Sequence, residues 1–186
     1  MTRMRAAFVL AGIVVGLTVF SRSAVVAGAA RPSMVHQQVP DIRLGTLNGG
    51  SWQMSQQRGK VVLLDFWAVY CAPCRAMEPR LKALRKEWVG RANFVIVGVP
   101  VDDDVNRVRR HVERSGMNWP QLVLPDDGAM VALVGPLGVQ EMATPTLWVV
   151  DGEGRLAGSF HDLEAAVVLA KRLLNTHEPH GANRTR

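Results

Sequence analysis

Val61-Val62-Leu63-Leu64-Asp65-Phe66-Trp67, followed across Ala68-Val69-Tyr70 by Cys71-Ala72-Pro73-Cys74, is the stretch that decides how the chain folds. Its first part is apolar except for Asp65, the pattern of a strand buried on both faces. Beyond the cysteines, Leu81, Leu84 and Trp88 recur at helical spacing, so a helix is expected from about Cys71–Cys74 to Trp88, kinked by Pro79. The cysteines thus fall where a buried strand gives way to a helix. The first of them meets unpaired N–H groups and the positive end of the helix dipole, which favour a thiolate. The second, one turn on, can reach back and close a disulfide on that sulfur. Pro73 restricts the loop, and its missing N–H costs nothing in a first turn. Cys71 is the expected attacking nucleophile and Cys74 the resolving thiol.

Other uses of two cysteines fit less well. They are the only cysteines in 186 residues, and a four-residue loop cannot staple a fold of this size. Zinc would need a second ligand pair, for which the sequence offers only His177-x-x-His180 far along the chain. Covalent haem attachment needs His after the second Cys, and residue 75 is Arg. A structural pair stays open beside the redox one. No metal and no cofactor is called for.

Working outward, Ile42–Leu47 and Ser51–Met54 around Asn48-Gly49 read as a β-hairpin preceding the buried strand. Phe94–Val101 is a second buried strand. Asp102-Asp103-Asp104 supplies acids for the start of a helix carrying Val105, Val108 and Val112, stopped at Gly116. A short strand at Leu122–Leu124, a turn at Pro125–Gly128 and a brief helix at Ala129–Val134 follow. Thr146–Val150 and Arg155–Ser159 read as a hairpin, and Asp162 caps a last helix to about Leu174. The order ββ-β-α-β-α-β-α-β-β-α implies an α/β fold, a mixed central sheet flanked by helices on both faces.

The formal charge is +6, but Arg3, Arg5 and Arg22 precede the first acid, Asp41; residues 30–186 carry +3. Basic residues form no block or aromatic-interleaved stripe, which argues against nucleic-acid binding. Arg3 and Arg5, the apolar run Ala6–Phe20 and the small residues Ala27-Gly28-Ala29 read as an export signal over residues 1–29. The run is short for a membrane span, so cleavage is expected, with an uncleaved anchor as the alternative. Residues 30–40 read as a linker, 41–175 as one domain and 176–186 as a disordered tail. The expected location is the periplasm, with membrane contact only if the N-terminal segment stays attached.

Asp65-Phe66-Trp67-Ala68-Val69-Tyr70-Cys71-Ala72-Pro73-Cys74-Arg75 resembles the active-site signature of the thioredoxin superfamily, with Tyr70 where Trp is usual. Thr144-Pro145-Thr146 looks like its cis-proline loop. The added hairpin and the segment between Asn118 and Thr144 resemble the exported TlpA/ResA-like branch, over residues 40–175. The resemblance implies a thioredoxin fold and a disulfide oxidoreductase. It places Pro145 in cis beside the cysteines and lets the Thr144 backbone meet an extended substrate strand. Ala72 and Pro73, with Trp67 and Tyr70, would line the substrate rim, although the two aromatic residues could equally be packing. Two positions depart from the branch. Met77 stands where an acid is common, with Glu78 one place later and turned by about 100° on a helix. Asp65 matches the buried acid of thioredoxin, but Gly98 replaces its partner lysine, so Asp65 is expected to have a raised pKa and to accept the Cys74 proton; a strand-end cap is the alternative. His36, His111 and His161 are scattered and receive no role, and Glu141 reads as a solvated loop acid.

The resemblance further implies protein substrates carrying disulfides, as in cytochrome c or copper-site maturation, and a membrane thiol reductase as electron donor. Reduction is favoured because Ala-Pro brings no donor side chain between the cysteines and Arg75 is expected to be solvated. A periplasmic thiol oxidase or isomerase is the alternative, and a metal-binding chaperone of the same fold comes after it. Peroxiredoxin chemistry on this fold would need Thr and Pro where the chain has Ala68 and Leu64, and copper chaperones of this fold use CxxxC.

Overall fold

The computed structural model describes residues 34–140 and 142–176. The expected signal at 1–29 lies outside them, as do Glu141 and residues 177–186 of the expected tail. Thr176 closes the last helix instead of opening a tail.

Among the described residues, seven strands and four helices follow one another in the expected order: β1 (Arg43–Thr46), β2 (Ser51–Gln53), β3 (Val61–Trp67), α1 (Ala72–Glu87), β4 (Phe94–Pro100), α2 (Val105–Ser115), β5 (Leu122–Val123), α3 (Asp127–Val134), β6 (Thr146–Val150), β7 (Leu156–Phe160) and α4 (Leu163–Thr176). Short 3₁₀ turns, not foreseen, occupy Met54–Gln57 and Gly135–Leu137. The strands form a four-stranded set in the order β4-β3-β6-β7 and a three-stranded set in the order β2-β1-β5. A single parallel bridge between Gly98 and Gln121 joins the two. The β3–β4 pairing is parallel and the β3–β6 pairing antiparallel, so the sheet is mixed.

All seven residues of β3 are buried, because both faces of this strand are covered. Val61, Leu63 and Trp67 point into one core with Leu81 and Leu84 of α1, Val108 of α2 and Ala166, Val167 and Ala170 of α4. Val62, Leu64 and Phe66 point into the other, with Leu44, Trp52, Met54, Leu133 and Trp148. The period-2 alternation of a strand thus divides one continuous apolar run between two cores.

Local signals explain the element ends. In the β1–β2 turn Gly49 has φ 86, a conformation that Asn-Gly pairs adopt readily. Asp104 caps α2 by accepting from the N–H groups of Asn106 (2.9 Å) and Arg107 (3.0 Å). Gly116 ends the helix in the left-handed region with φ 71. α3 starts earlier than expected, because Asp126 is its cap and accepts from Ala129 N–H at 2.9 Å, drawing the Asp-Asp-Gly turn into the helix.

The expected linker at 30–40 is corrected over its described part. His36 N–H donates to Leu156 O (2.7 Å), Leu156 N–H to Gln37 O (2.9 Å) and Val39 N–H to Gly154 O (3.0 Å). Val39 is buried in the second core. Residues 36–39 therefore pair with the β6–β7 hairpin, satisfying its open edge.

Candidate active site

β3 ends at Trp67, and the chain crosses Ala68–Tyr70 before α1 begins. Val69 N–H donates to Asp102 Oδ2 at 2.8 Å, and Cys71 N–H to Ala68 O at 3.1 Å, so the approach to the cysteines is held from two sides. Asp102, expected to help start α2, serves this loop instead. Cys71 is the N-cap of α1, and its sulfur accepts from Cys74 N–H at 3.2 Å. Cys71 and Cys74 are joined in a disulfide with Cα atoms 5.3 Å apart. Cys71 is the outer of the two, 7% exposed against 3%. Ala72 and Pro73 between them are exposed.

Tyr70 is 62% exposed and lines a depression with Val101, Asp102, Asp103, Asp104 and Arg107. Trp67 is corrected: its ring is buried in the core that holds both cysteines, and Nε1–H donates to Gln121 Oε1 at 3.0 Å. It supports the site from beneath and presents no surface to a substrate. The Thr144–Pro145 peptide is cis. Thr146 pairs with Phe66, so the loop carrying Thr144 and Pro145 enters the sheet at the end where β3 leads to the cysteines. His161, given no role from sequence, ties this loop by donating from Nδ1 to Pro145 O at 2.7 Å. Arg75 is exposed, but its Nη1 donates to Val69 O at 2.5 Å, which directs the guanidinium to the approach loop.

Asp65 sits on β3 with its carboxyl buried, and Oδ1 has no hydrogen-bond partner among the described residues. Burial pushes its pKa up to about 7, and the charge of Glu78 adds to the rise. No N–H among the described residues reaches Oδ1, as a strand-end cap through that oxygen would require. Its register partner on β4 is Gly98. A Cβ at Gly98 would lie 1.9 Å from Gln121 Oε1, so the room left by this glycine is filled by a neutral amide from the segment before β5. Gln121 Nε2 is also buried without a partner among the described residues.

Glu78, one place after the position where the branch commonly has an acid, meets α2. It turns inward from α1, is buried, and Oε1 accepts from His111 Nε2 at 2.6 Å. His111, from α2, lies over Trp67 with ring centroids 5.4 Å apart. Sequence reasoning missed His111 and Gln121. Glu78 and His111 are on different helices and show no motif; the one available signal was Gly98, a residue with no side chain opposite a buried acid. No group of three or more His, Cys, Asp or Glu among the described residues could hold a metal ion.

A central parallel-and-antiparallel sheet, a CxxC disulfide capping the helix after its middle strand and a cis-proline opening the antiparallel strand define a thioredoxin-fold protein with a redox-type cysteine pair. Comparison with known proteins agrees. The chain belongs to the AhpC/TSA family, whose pattern matches residues 35–159. It is 31% identical over 119 residues to the thioredoxin-like protein YneN of Bacillus subtilis, covering 63% of this chain and 66% of that protein. It is 29% identical over 123 residues to the thiol-disulfide oxidoreductase ResA of Geobacillus thermodenitrificans, covering 66% of each. The chain thus spans just under two thirds of these relatives' length. Among solved structures, a secreted thiol-disulfide isomerase of Corynebacterium glutamicum superposes with a TM-score of 0.64 at 26% identity, over 75% of this chain and 86% of that one.

Proposed function

We propose that the protein is a thiol–disulfide oxidoreductase that reduces disulfides of exported proteins. The observation that carries this reading is the Cys71–Cys74 disulfide at the α1 N-terminus, with a backbone N–H aimed at the outer sulfur. In the reduced protein that N–H and the helix dipole stabilise a Cys71 thiolate. The thiolate attacks a substrate disulfide; one substrate sulfur leaves and takes up a proton, and a mixed disulfide remains on Cys71. Cys74 then gives its proton to the Asp65 carboxylate and attacks Cys71 Sγ, releasing the second substrate sulfur. Two electrons pass to the substrate, and the pair ends as the disulfide of this structure. Ala72 and Pro73, the exposed Tyr70 and the Thr144 backbone are the surfaces offered to the substrate chain.

Export is supported by the charged and apolar residues of 1–29 and by likeness to a protein described as secreted. No helix among the described residues is long and apolar enough to cross a membrane. A pair consumed once per turnover must be recharged, for which a membrane thiol reductase is the proposed donor. Membership of the AhpC/TSA family does not favour peroxide chemistry here, since Ala68 and Leu64 hold the positions where Thr and Pro would be needed.

The test is trapping. In the reduced protein, alkylation is expected at Cys71 before Cys74, and Cys74→Ser is expected to accumulate mixed disulfides through Cys71 when given a disulfide protein such as insulin. Faster labelling of Cys74, or no trapped adduct while wild type reduces insulin, would sink the assignment.

A further inference from the structure

β6 and β7 stay paired only as far as Leu147 and Phe160. One residue further along β7, a side chain takes over from the ladder: His161 Nδ1 lies 2.7 Å from Pro145 O. A carbonyl only accepts, so Nδ1 carries the hydrogen. Thr146 adds a second tie. Its hydroxyl donates to Ala143 O at 2.7 Å and lies 3.4 Å from the same Nδ1. The carbonyls on either side of Thr144 are thus both bound by side chains. The N–H and C=O of Thr144 itself meet no partner among the described residues, which leaves them as the pair that an incoming strand can use.

Packing holds only one side of this loop. Thr146 and Leu147 are buried, Leu147 in the core that contains both cysteines. On the other side Ala143 is exposed, and Ala143, Thr146 and His161 border an open groove of about 210 Å³ with Met34, Val139 and Met142. Pairing with a second strand needs donor and acceptor aligned within hydrogen-bond reach. An untied loop offers that alignment for only part of the time, and apparent affinity falls by the same fraction.

We propose that His161 is a positioning residue for substrate capture: by holding Pro145 O it fixes the loop on which Thr144 offers its backbone to an extended, disulfide-bearing chain. Its hydrogen-bond contacts lie in the loop and not at the sulfurs. Its effect is therefore confined to substrates with a peptide backbone beside the disulfide. The consequence for substrate rests on the exchange proposed above; the tie to Pro145 does not.

The test compares His161→Leu, which removes the donor, with His161→Asn, whose amide nitrogen stands as many bonds from Cβ as Nδ1 and restores an N–H. His161 is exposed, so both variants are expected to unfold at the wild-type urea concentration. In the oxidised protein, ¹⁵N relaxation of the Thr144 amide is expected to give a lower order parameter in His161→Leu and the wild-type value in His161→Asn. In single-turnover oxidation of the reduced protein, His161→Leu is expected to raise the insulin concentration for half-saturation about tenfold, the change that one lost hydrogen bond gives, with the plateau rate unchanged. The rate with hydroxyethyl disulfide, which has no peptide backbone, is expected to stay at the wild-type value. His161→Asn is expected to return the insulin half-saturation to wild type. An unmoved half-saturation in His161→Leu, no recovery in His161→Asn, or equal slowing with both disulfides would overturn the proposal. A wild type that reduces hydroxyethyl disulfide but not insulin would refute the proposed function, and the Thr144 order parameter alone would then uphold or overturn the hold of His161 on the loop.

Discussion

Asp65 is costly to the fold and, in the proposed mechanism, useful to the site. Its pKa is raised to about 7 from 3.8, by burial first and by Glu78 second. A carboxyl whose folded value is raised binds its proton more tightly folded than unfolded. Its contribution to stability is therefore full below about pH 4 and is lost progressively as pH rises through about 7. The loss amounts to on the order of 4 kcal/mol, since a tenfold difference in proton affinity between folded and unfolded chains is worth about 1.4 kcal/mol. Asp65→Asn removes the titration. We expect urea unfolding of wild type to weaken between pH 5 and 8 by a few kcal/mol, and that of the variant to change much less. The same substitution is expected to slow disulfide reduction at pH 7–8, where the wild-type carboxylate is proposed to accept the Cys74 proton. An unchanged rate across that range would remove Asp65 from the mechanism. The residue's importance was legible in the sequence because an acid inside Val61–Trp67 breaks an otherwise apolar strand. Its neighbours were less so: Glu78, His111 and Gln121 lie 13, 46 and 56 positions away, and only the packing of α1, α2 and the β5 approach brings them together. Trp67 misled for a related reason. Adjacency to the cysteines suggested a rim, yet its strand position points it into the core.

Among the elements, α2 is the helix whose start divides most clearly between neighbouring acids. Its sequence signals were strong and local: three acids before Val105, valines at 105, 108 and 112, and Gly116 after the last turn. The structure uses Asp104 alone of those acids as the cap, while Asp102 secures the loop into Cys71 through Val69. Each acid therefore has a separable effect. Asp104→Ala leaves the N–H groups of Asn106 and Arg107 without their acceptor, and we expect a loss of about 1 kcal/mol in unfolding free energy with α2 fraying first in hydrogen exchange. A loss spread evenly over all four helices would mean that the cap does not act locally. Residues 36–39 make the opposite case to α2. They pair with the β6–β7 hairpin through backbone N–H and C=O groups, which every sequence possesses, so neither periodicity nor composition could reveal them. Elements with periodic side-chain signals were readable; edge pairing made chiefly by the backbone, with Gln38 Nε2 donating to Glu153 O and Gly154 O, was not.

Direction of electron flow belongs to the molecule as a whole, because the potential of the pair reflects every charge that favours or opposes its reduced thiolate form. A strong oxidant such as DsbA lies near about −120 mV and thioredoxin near about −270 mV, a gap of about 7 kcal/mol in how well the reduced pair is stabilised. Here the stabilising contributions are the α1 N-terminus and the Cys74 N–H at 3.2 Å from the Cys71 sulfur. No side chain adds to them from within the loop, since Ala72 and Pro73 carry neither charge nor donor. Arg75, the nearest cation in sequence, is turned to the Val69 carbonyl. The acids on the same side of the fold outnumber the cations: Asp65 when ionised and Glu78, which act on one another, and Asp102, Asp103 and Asp104, which line the depression beside Tyr70 with Arg107 as its one cation. A negative surround destabilises a second negative charge and so favours the disulfide, which lowers the potential and makes the dithiol a better reductant. We expect equilibration with dithiothreitol or glutathione buffers to give a value below about −200 mV. Glu78→Gln is expected to raise it, because one of the opposing charges is gone. A wild-type potential near about −120 mV would mean that the helix end outweighs the acids, and the protein would then form disulfides where the present reading has it break them.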